Sequence, residues 1–173
     1  MGGVQPHRIA AERVELLQVP AGLVRVLADP EADGPDSQSW APGYPLPGTR
    51  AAARNLVRQA EAAGGEGGGE WGIYQIILRE TGEVIGDIGF HGPPDETGTV
   101  EIGYSIVEQL RGRGLMGESA VAICGLSWSR PEVTKIIAQT DEDNAASAGV
   151  LRHAGFRETG VADGLRNFSL TRP

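Results

Sequence analysis

Residues 101–120, EIGYSIVEQLRGRGLMGESA, change character twice within one short segment. They begin as an apolar strand, break into two arginine–glycine pairs, and resume with helix-forming residues. Gly112 and Gly114 allow backbone conformations, and a close approach of a ligand, that other residues prevent. Amides in the first turn of a helix lack intrahelical partners, and the helix dipole adds partial positive charge there. The junction is therefore predicted to bind an anion such as phosphate.

Two other interpretations of this junction were weighed. Residues 112–117 also match the GxGxxG pattern of dinucleotide-binding folds. That fold needs parallel strands and several more βα units, whereas here only one further helix and one or two strands follow. The simplest alternative is an ordinary helix start with solvated Arg111 and Arg113, although these side chains can equally add charge-assisted contacts to an anion.

The surrounding sequence predicts a layered arrangement of short elements. Strands are expected at 13–19, 71–78, 84–90, 99–106, 134–140 and 166–171, and helices at 21–29, 50–63, 114–128 and 144–153. Short links among the second, third and fourth strands predict an antiparallel meander. Residues 30–48 are interpreted as a loop and 64–70 as a flexible connector. The prediction is a single domain, residues 1–173, of mixed α/β (α+β) class, with helices packed on one mostly antiparallel sheet.

Composition narrows the class of protein. The chain has 173 residues, 40% of them hydrophobic and 22% charged, with a formal net charge of -8. A negative surface argues against general binding to nucleic acid or to anionic membranes. No apolar run approaches the roughly 20 residues that span a bilayer, and the N-terminus lacks a signal-peptide layout. We expect a soluble cytosolic protein, for which a homodimer is compatible with the sequence.

The cysteine and the histidines suggest no chemistry by themselves. A single cysteine excludes an internal disulfide and a thiol-rich metal site. Cys124 lies among apolar residues of a predicted helix, so we interpret it as a buried, inert thiol. His7, His91 and His153 are scattered without metal or triad spacing and are interpreted as structural, so no metal is expected.

Several segments, in order along the chain, resemble one family. Residues 109–114, QLRGRG, fit the Q/R-x-x-G-x-G/A signature of the GNAT superfamily of N-acetyltransferases. Four more resemble its ribosomal-protein alanine N-acetyltransferase branch: 11–14 (AERV), 99–104 (TVEIGY), 118–120 (ESA), and 144–147 (NAAS) with 154–156 (AGF) downstream. The resemblance spans nearly the whole chain.

This resemblance implies a sheet that splays open beside the third meander strand, with acetyl-CoA as co-substrate and no metal. The pantetheine arm would pair with the backbone of Ser105, Ile106 and Val107. The remaining cofactor contacts would come from the junction and from the start of the last helix: Arg111, Gly112, Arg113, Gly114, Leu115, Met116 and Asn144. A backbone amide on the strand would polarise the thioester carbonyl, as an oxyanion hole does.

Two residues are candidates for proton transfer. Glu101 lies on the strand that would carry the acetyl group, and it is the candidate base for the attacking amine. Its alternative is an ordinary exposed strand carboxylate. Many superfamily members protonate the leaving thiolate with a tyrosine on the last helix, but Leu151 stands there, so Ser147 is the substitute candidate. Ser147 could equally be a plain first-turn residue, and Asn144 could simply cap its helix.

The acceptor stays open at this point. Trp40 and Tyr44, aromatic residues in the 30–48 loop, are candidates for the wall of an acceptor pocket. The sequence is compatible with four classes of acceptor: protein N-termini, aminoglycosides, polyamines and amino-acid-like metabolites. The rival function is a non-catalytic acyl-CoA-binding or sensing module of the same fold, which the missing tyrosine keeps open.

Overall fold

The computed structural model describes residues 5–65 and 69–173. Its strands are β1 (Arg8–Ala10), β2 (Val14–Gln18), β3 (Ser39–Trp40), β4 (Ile73–Leu78), β5 (Glu83–Phe90), β6 (Thr99–Ile106), β7 (Lys135–Asp141), β8 (Arg157–Ala162) and β9 (Leu165–Thr171). Its helices are α1 (Ala21–Ala28), α2 (Pro47–Ala63), α3 (Leu115–Trp128) and α4 (Ala145–His153), with a short 3-10 turn at Glu108–Leu110. Within these ranges, no helix is both long enough and apolar enough to cross a membrane.

The strands form one mixed, mostly antiparallel sheet in the order β1-β2-β4-β5-β6-β7-β9-β8, with β3 beside β5. The expected meander is confirmed, since β4, β5 and β6 pair antiparallel in succession. The pairing of β6 with β7 is parallel and short, running only from Thr99–Lys135 to Ile102–Ala138. Beyond that point both strands continue without pairing to each other, so the sheet opens there as expected.

Helices cover both faces of the sheet. A side chain at Gly48, in α2, would meet the hydroxyl of Ser105, whereas the hydroxyl of Tyr104 bonds to Ser147 in α4. Because neighbouring strand residues point to opposite faces, α2 and α4 lie on opposite sides of β6. The buried apolar side chains of both layers form the core.

Several local features differ from the sequence-based expectation. The 30–48 segment contains β3, and α2 begins inside it at Pro47, a residue that suits the first helical position. Strands β1 and β8 were not expected. Helix α4 begins at Ala145, because the Asn144 side chain accepts a hydrogen bond from the Ser147 amide and caps it. The connector expected at 64–70 includes residues 66–68, which lie outside the described residues.

Candidate functional site

The gap between β6 and β7 exposes backbone groups of β6. The His91 amide donates to Glu101 O, and the Val107 amide donates to Ile85 O, each at 2.9 Å. These two bonds show that odd-numbered residues of β6 turn their backbone groups toward β5. The amides of Tyr104 and Ile106 therefore face the gap, past the last residue paired with β7. The backbone of Ser105 turns toward Asp87 on β5, so the expected pairing of a ligand with the Ser105 backbone is wrong, because that side of the strand is already occupied.

The loop between β6 and α3 has the geometry expected of an anion site. Gly112 and Gly114 have φ angles of 74° and 77°, in the left-handed region that glycine adopts without strain. Gly114 is the N-cap of α3, and no side chain caps this helix end. The amides that open α3 are therefore available to a ligand.

A groove of about 490 Å³ joins the gap to this loop, and we call it the gap groove. Its walls are formed by Tyr104, Ser105, Ile106, Leu110, Arg111, Gly112, Gly114, Leu115, Met116, Gly117, Asn144, Ala146, Ser147 and Val150. The structure thus brings together nine residues that the sequence analysis singled out: Ser105, Ile106, Arg111, Gly112, Gly114, Leu115, Met116, Asn144 and Ser147. Arg111 also donates through Nε to Ile106 O at 3.3 Å, so this gap-facing carbonyl already has a hydrogen-bond partner.

Two expected cofactor contacts lie outside this groove. Val107 is buried and its amide already donates within the sheet, so it turns away from the gap. Arg113 does not line the groove, and its carbonyl accepts a hydrogen bond from the Arg13 guanidinium at 2.8 Å. Arg13 also bonds to the carboxylate of Glu118. The segments at 11–14 and 118–120 therefore meet in space, where they brace the glycine loop.

A hydroxyl pair spans the gap groove. Tyr104 Oη lies 2.8 Å from Ser147 Oγ and donates to Ser147 O at 3.1 Å. Burial raises the pKa of the Tyr104 phenol, partly offset by its hydrogen bond to Ser147. Leu151, at the position where many superfamily members carry tyrosine, is fully buried. Tyr104 was not among the residues predicted from sequence, although it directly precedes Ser105, the first residue expected to contact the pantetheine arm.

A second cavity, of about 190 Å³, lies between α2 and the β5–β6 pair, and we call it the α2 cavity. It is lined by Gly48, Ala52, Ile73, Asp87, Gly89, Phe90, His91, Gly103, Tyr104 and Ser105. Tyr104 and Ser105 line both cavities, so strand β6 separates the gap groove from the α2 cavity at these two residues.

Glu101 reaches the α2 cavity only through a histidine. Glu101 Oε1 lies 3.5 Å from His91 Nδ1, with side-chain exposures of 32% and 49%. The hydrogen bond from His91 lowers the pKa of Glu101 despite its partial burial. A Cβ built on Gly103 would lie 2.7 Å from His91 Nε2, so the imidazole covers the first β6 residue beyond the β7 pairing. Interpreting His91 as structural overlooked this arrangement, because one sequence does not show that His91 and Glu101 are cross-strand neighbours.

Asp87 is an acid that the sequence analysis did not consider. It is 5% exposed, on a central strand, and burial raises its pKa to about 7 even though hydrogen bonds from Thr49, Tyr44 and Ser105 favour ionisation. The signal in the sequence was an aspartate inside the apolar run VIGDIGF. Buried acids of shifted pKa are common at functional sites.

Trp40 and Tyr44 do not line either cavity. Tyr44 is buried, and its hydroxyl accepts from Gln75 Nε2 at 3.5 Å and bonds to Asp87. Trp40 packs edge-on against Tyr44, with ring centroids 5.3 Å apart. Tyr44 therefore contacts Asp87 through its hydroxyl, and Trp40 packs against Tyr44; their part in an acceptor pocket stays a prediction. Cys124 is buried, and burial raises its pKa to about 12, as expected for an inert thiol.

Comparisons with known proteins place this arrangement in a family. Residues 18–157 match the acetyltransferase (GNAT) domain. The chain is 35% identical over 81 residues to the "uncharacterized N-acetyltransferase YjdG" of Bacillus subtilis and 28% identical over 109 residues to the "uncharacterized N-acetyltransferase p20" of Bacillus licheniformis. These alignments cover 47% and 63% of the chain, but only 48% and 60% of the relatives' own lengths.

Solved structures share the fold at low sequence identity. RimL, a ribosomal L7/L12 alpha-N-protein acetyltransferase solved in complex with coenzyme A, aligns with a TM-score of 0.64 and 18% identity over 95% of this chain and 98% of its own. A putative ribosomal-protein-serine acetyltransferase from Vibrio cholerae aligns with a TM-score of 0.66 and 16% identity over 98% and 100% of the two chains. The domain match covers most of the sequence and the fold agrees with it, so the chain belongs to the acetyltransferase (GNAT) family.

Proposed function

We propose that the protein is an N-acetyltransferase that moves an acetyl group from acetyl-CoA directly to a primary amine. The observation that carries the proposal is the meeting of two cavities at one strand. The gap groove has the features of a donor site, the α2 cavity has those of an acceptor site, and Tyr104 and Ser105 line both.

The residues of the gap groove suit the proposed donor. Gly112 and Gly114 leave a cradle beside free helix amides, which suits a pyrophosphate. The gap-facing amides of Tyr104 and Ile106 suit an extended amide chain, as in strand addition. Acetyl-CoA would supply an acetyl group activated as a thioester, and a gap-facing amide would stabilise negative charge on its carbonyl oxygen.

The His91–Glu101 pair is the proposed proton acceptor. An amine attacks only in its neutral form, so a proton must leave the nitrogen, and histidine is the commonest general base. Glu101 would hold His91 through Nδ1 and stabilise the charged imidazole, while Nε2 over Gly103 takes the proton. Glu101 thus keeps a part in deprotonation, as a positioning residue behind His91.

The Tyr104–Ser147 pair is the proposed proton donor to the leaving sulfur. As the nitrogen–carbon bond forms and the carbon–sulfur bond breaks, the thiolate needs a proton. The two hydroxyls, 2.8 Å apart, can pass one across the groove. This pair would donate the proton that a tyrosine at position 151 would otherwise provide.

The direct test is thiol release from acetyl-CoA by the purified protein with a panel of primary amines. We expect release that requires both substrates and yields an N-acetylated amine by mass spectrometry. The second candidate function, a non-catalytic acyl-CoA-binding module, is favoured by Leu151 in place of tyrosine. It predicts that acetyl-CoA binds and that no amine in the panel accelerates thiol release.

A further inference from the structure

The α2 cavity has a polar side chain at each end, and the residues between them on this face of β5 and β6 are glycines. Asp87 pairs with Ser105 across the two strands, and Gly89 pairs with Gly103. His91 follows on β5, and its amide bonds to Glu101 O. Cross-strand partners share a face of the sheet, so the two glycines separate the Asp87 carboxylate from the His91 imidazole.

The Asp87 end is closed and the His91 end is open. Asp87 is 5% exposed, whereas the side chain of His91 is 49% exposed. On the helix side, Gly48 and Ala52 contribute only small surfaces. A molecule that enters past His91 therefore reaches Asp87 last, through a narrow space of about 190 Å³.

Asp87 is a buried carboxylate that lacks a cationic partner within the described part of the chain. Its hydrogen-bond donors are three neutral hydroxyls, those of Thr49, Tyr44 and Ser105. None of the ion pairs formed by the described residues includes Asp87. Buried charges in proteins are normally paired, and an unpaired one is costly. A cation arriving through the cavity would supply the missing partner.

We propose that the acceptor is a small primary amine with a second positive charge, and that Asp87 binds this second cation while the reacting amine stays beside His91. This inference rests on the proposed function and names its substrate class. His91 follows Asp87 by four residues along β5, a span of roughly 13 Å between Cα atoms. The His91 imidazole lies over Gly103, which pairs with Gly89, so the span from the imidazole to Asp87 is about two strand residues, or roughly 7 Å. This span suits a short alkyl chain with an ammonium group at each end. Thus Asp87 is a specificity residue and not a base for the reaction.

The test compares two acceptors that share a four-carbon skeleton, diaminobutane and butylamine. With the unmodified protein, kcat/KM for diaminobutane should exceed that for butylamine by about tenfold or more, because a hydrogen-bonded charge is involved. Asp87→Asn keeps shape and hydrogen bonding and removes the charge. It should raise KM for diaminobutane by a similar factor and so bring the ratio of the two kcat/KM values close to one.

Two controls separate this effect from general damage. Glu96→Gln removes one negative charge from an exposed residue outside both cavities, and it should change neither amine's constants. The stabilisation that acetyl-CoA gives in a thermal scan should be equal in the unmodified protein and in Asp87→Asn, which shows that fold and donor groove are intact. Equal losses for both amines in Asp87→Asn would overturn the assignment of Asp87.

A binding measurement keeps this inference distinct from the proposed function. With coenzyme A bound, diaminobutane should stabilise the unmodified protein more than butylamine does, and Asp87→Asn should remove the difference. If thiol release fails with every amine but this binding difference appears, then catalysis is refuted and the cation site stands. If other amines are acetylated while diaminobutane neither binds nor reacts better than butylamine, then the cation site is refuted.

Discussion

His91 Nδ1 lies 3.5 Å from Glu101 Oε1, and the opposite nitrogen of the same imidazole covers Gly103. This arrangement predicts that substitutions of His91 and Glu101 lower turnover by different amounts. His91→Asn should lower turnover by about 10²–10⁴-fold, the usual contribution of a general base. Glu101→Gln should lower it only by roughly five- to tenfold, since a half-exposed ion pair contributes about 1 kcal/mol. Affinity for coenzyme A should be unchanged in both variants.

The pH profile of turnover provides a second measurement of this pair. Raising the pH should recover part of the activity of His91→Asn, because more of the amine is then already neutral. The acidic limb of the profile, along which a general base loses its proton, should shift in Glu101→Gln and disappear in His91→Asn if the carboxylate acts through the imidazole. Turnover near that of the unmodified protein in His91→Asn would assign proton removal to another group.

The Tyr104–Ser147 pair should behave as a unit. Tyr104→Phe and Ser147→Ala should each lower kcat by about 10²-fold, the lower end of the range for proton transfer, and the double variant should lose little more. Steady-state rates at saturating acetyl-CoA measure this coupling. Tyr74→Phe is a matched control, because the Tyr74 hydroxyl is also hydrogen-bonded but bonds to Glu70 O, away from both cavities. Strictly additive losses would mean that the two hydroxyls act independently.

Gly114 and Gly125 offer a matched pair at the two ends of α3. Gly114→Val should abolish coenzyme A binding, since φ of 77° disfavours valine and a Cβ there would lie 3.2 Å from the Arg13 guanidinium. Gly125→Ala meets nothing within 4 Å and should stabilise the helix by about 0.5–1 kcal/mol without affecting binding. Thermal scans with and without coenzyme A test both variants. Coenzyme A at about 100 times its dissociation constant should add roughly 2.7 kcal/mol to the free energy of unfolding of every variant except Gly114→Val. Normal calorimetric binding by Gly114→Val would remove the loop from the donor site.

Asp87 should make the free energy of unfolding depend on pH. Its pKa is about 7 in the folded protein and 3.8 as the ordinary value, so the folded state retains a proton that the unfolded state has released between these pH values. Stability conferred by this proton is fully present near pH 4 and is lost as the pH rises through 7, by up to ~4 kcal/mol. Urea unfolding of the unmodified protein and of Asp87→Asn should therefore diverge with rising pH, with the asparagine variant relatively more stable at pH 8. A constant difference from pH 5 to pH 8 would contradict the raised pKa.

The side chains around Asp87 determine whether the pH dependence of unfolding can be assigned to Asp87 itself. Thr49 from α2 and Ser105 from β6 do not titrate in this range, and burial raises the pKa of Tyr44 well above its ordinary value. Across the cavity, the other titratable side chains of the described residues are Tyr104, whose pKa is raised by burial, and His91 with Glu101 behind it. A parallel titration of His91→Asn separates their contribution from that of Asp87.

The parts of the fold that sequence predicted well carry strong local signals. The meander follows from short links, and the anion loop follows from Gly112 and Gly114 just before a helix. The hairpin of β8 and β9 was missed although Asp163 and Gly164, both with positive φ, form a two-residue turn of the Asp-Gly type. All six residues of β8 are exposed, so no hydrophobic pattern marked it as a strand.

The side-chain arrangement of the α2 cavity was harder to predict from sequence than the glycine loop of the gap groove. A glycine-rich loop is contiguous in sequence, whereas Asp87, His91 and Tyr104 become neighbours only through the register of β5 with β6. A single sequence gives the alternation of each strand but not which residue stands opposite which. The functions of Asp87 and His91 therefore needed the cross-strand pairing before they could be proposed.

Strand β8 has one further consequence, for how copies of this protein behave at high concentration. It is the outermost strand of the sheet beyond β9, so its outer backbone groups could template the growth of a fibre from other chains. Its ladder with β9 is interrupted by a register shift between Glu158 and Gly160, and it opens with the charged pair Arg157 and Glu158. Irregular, charged borders of this kind oppose sheet-to-sheet polymerisation. Replacing both Arg157 and Glu158 with valine should make this edge strand prone to aggregation while leaving the gap groove unchanged.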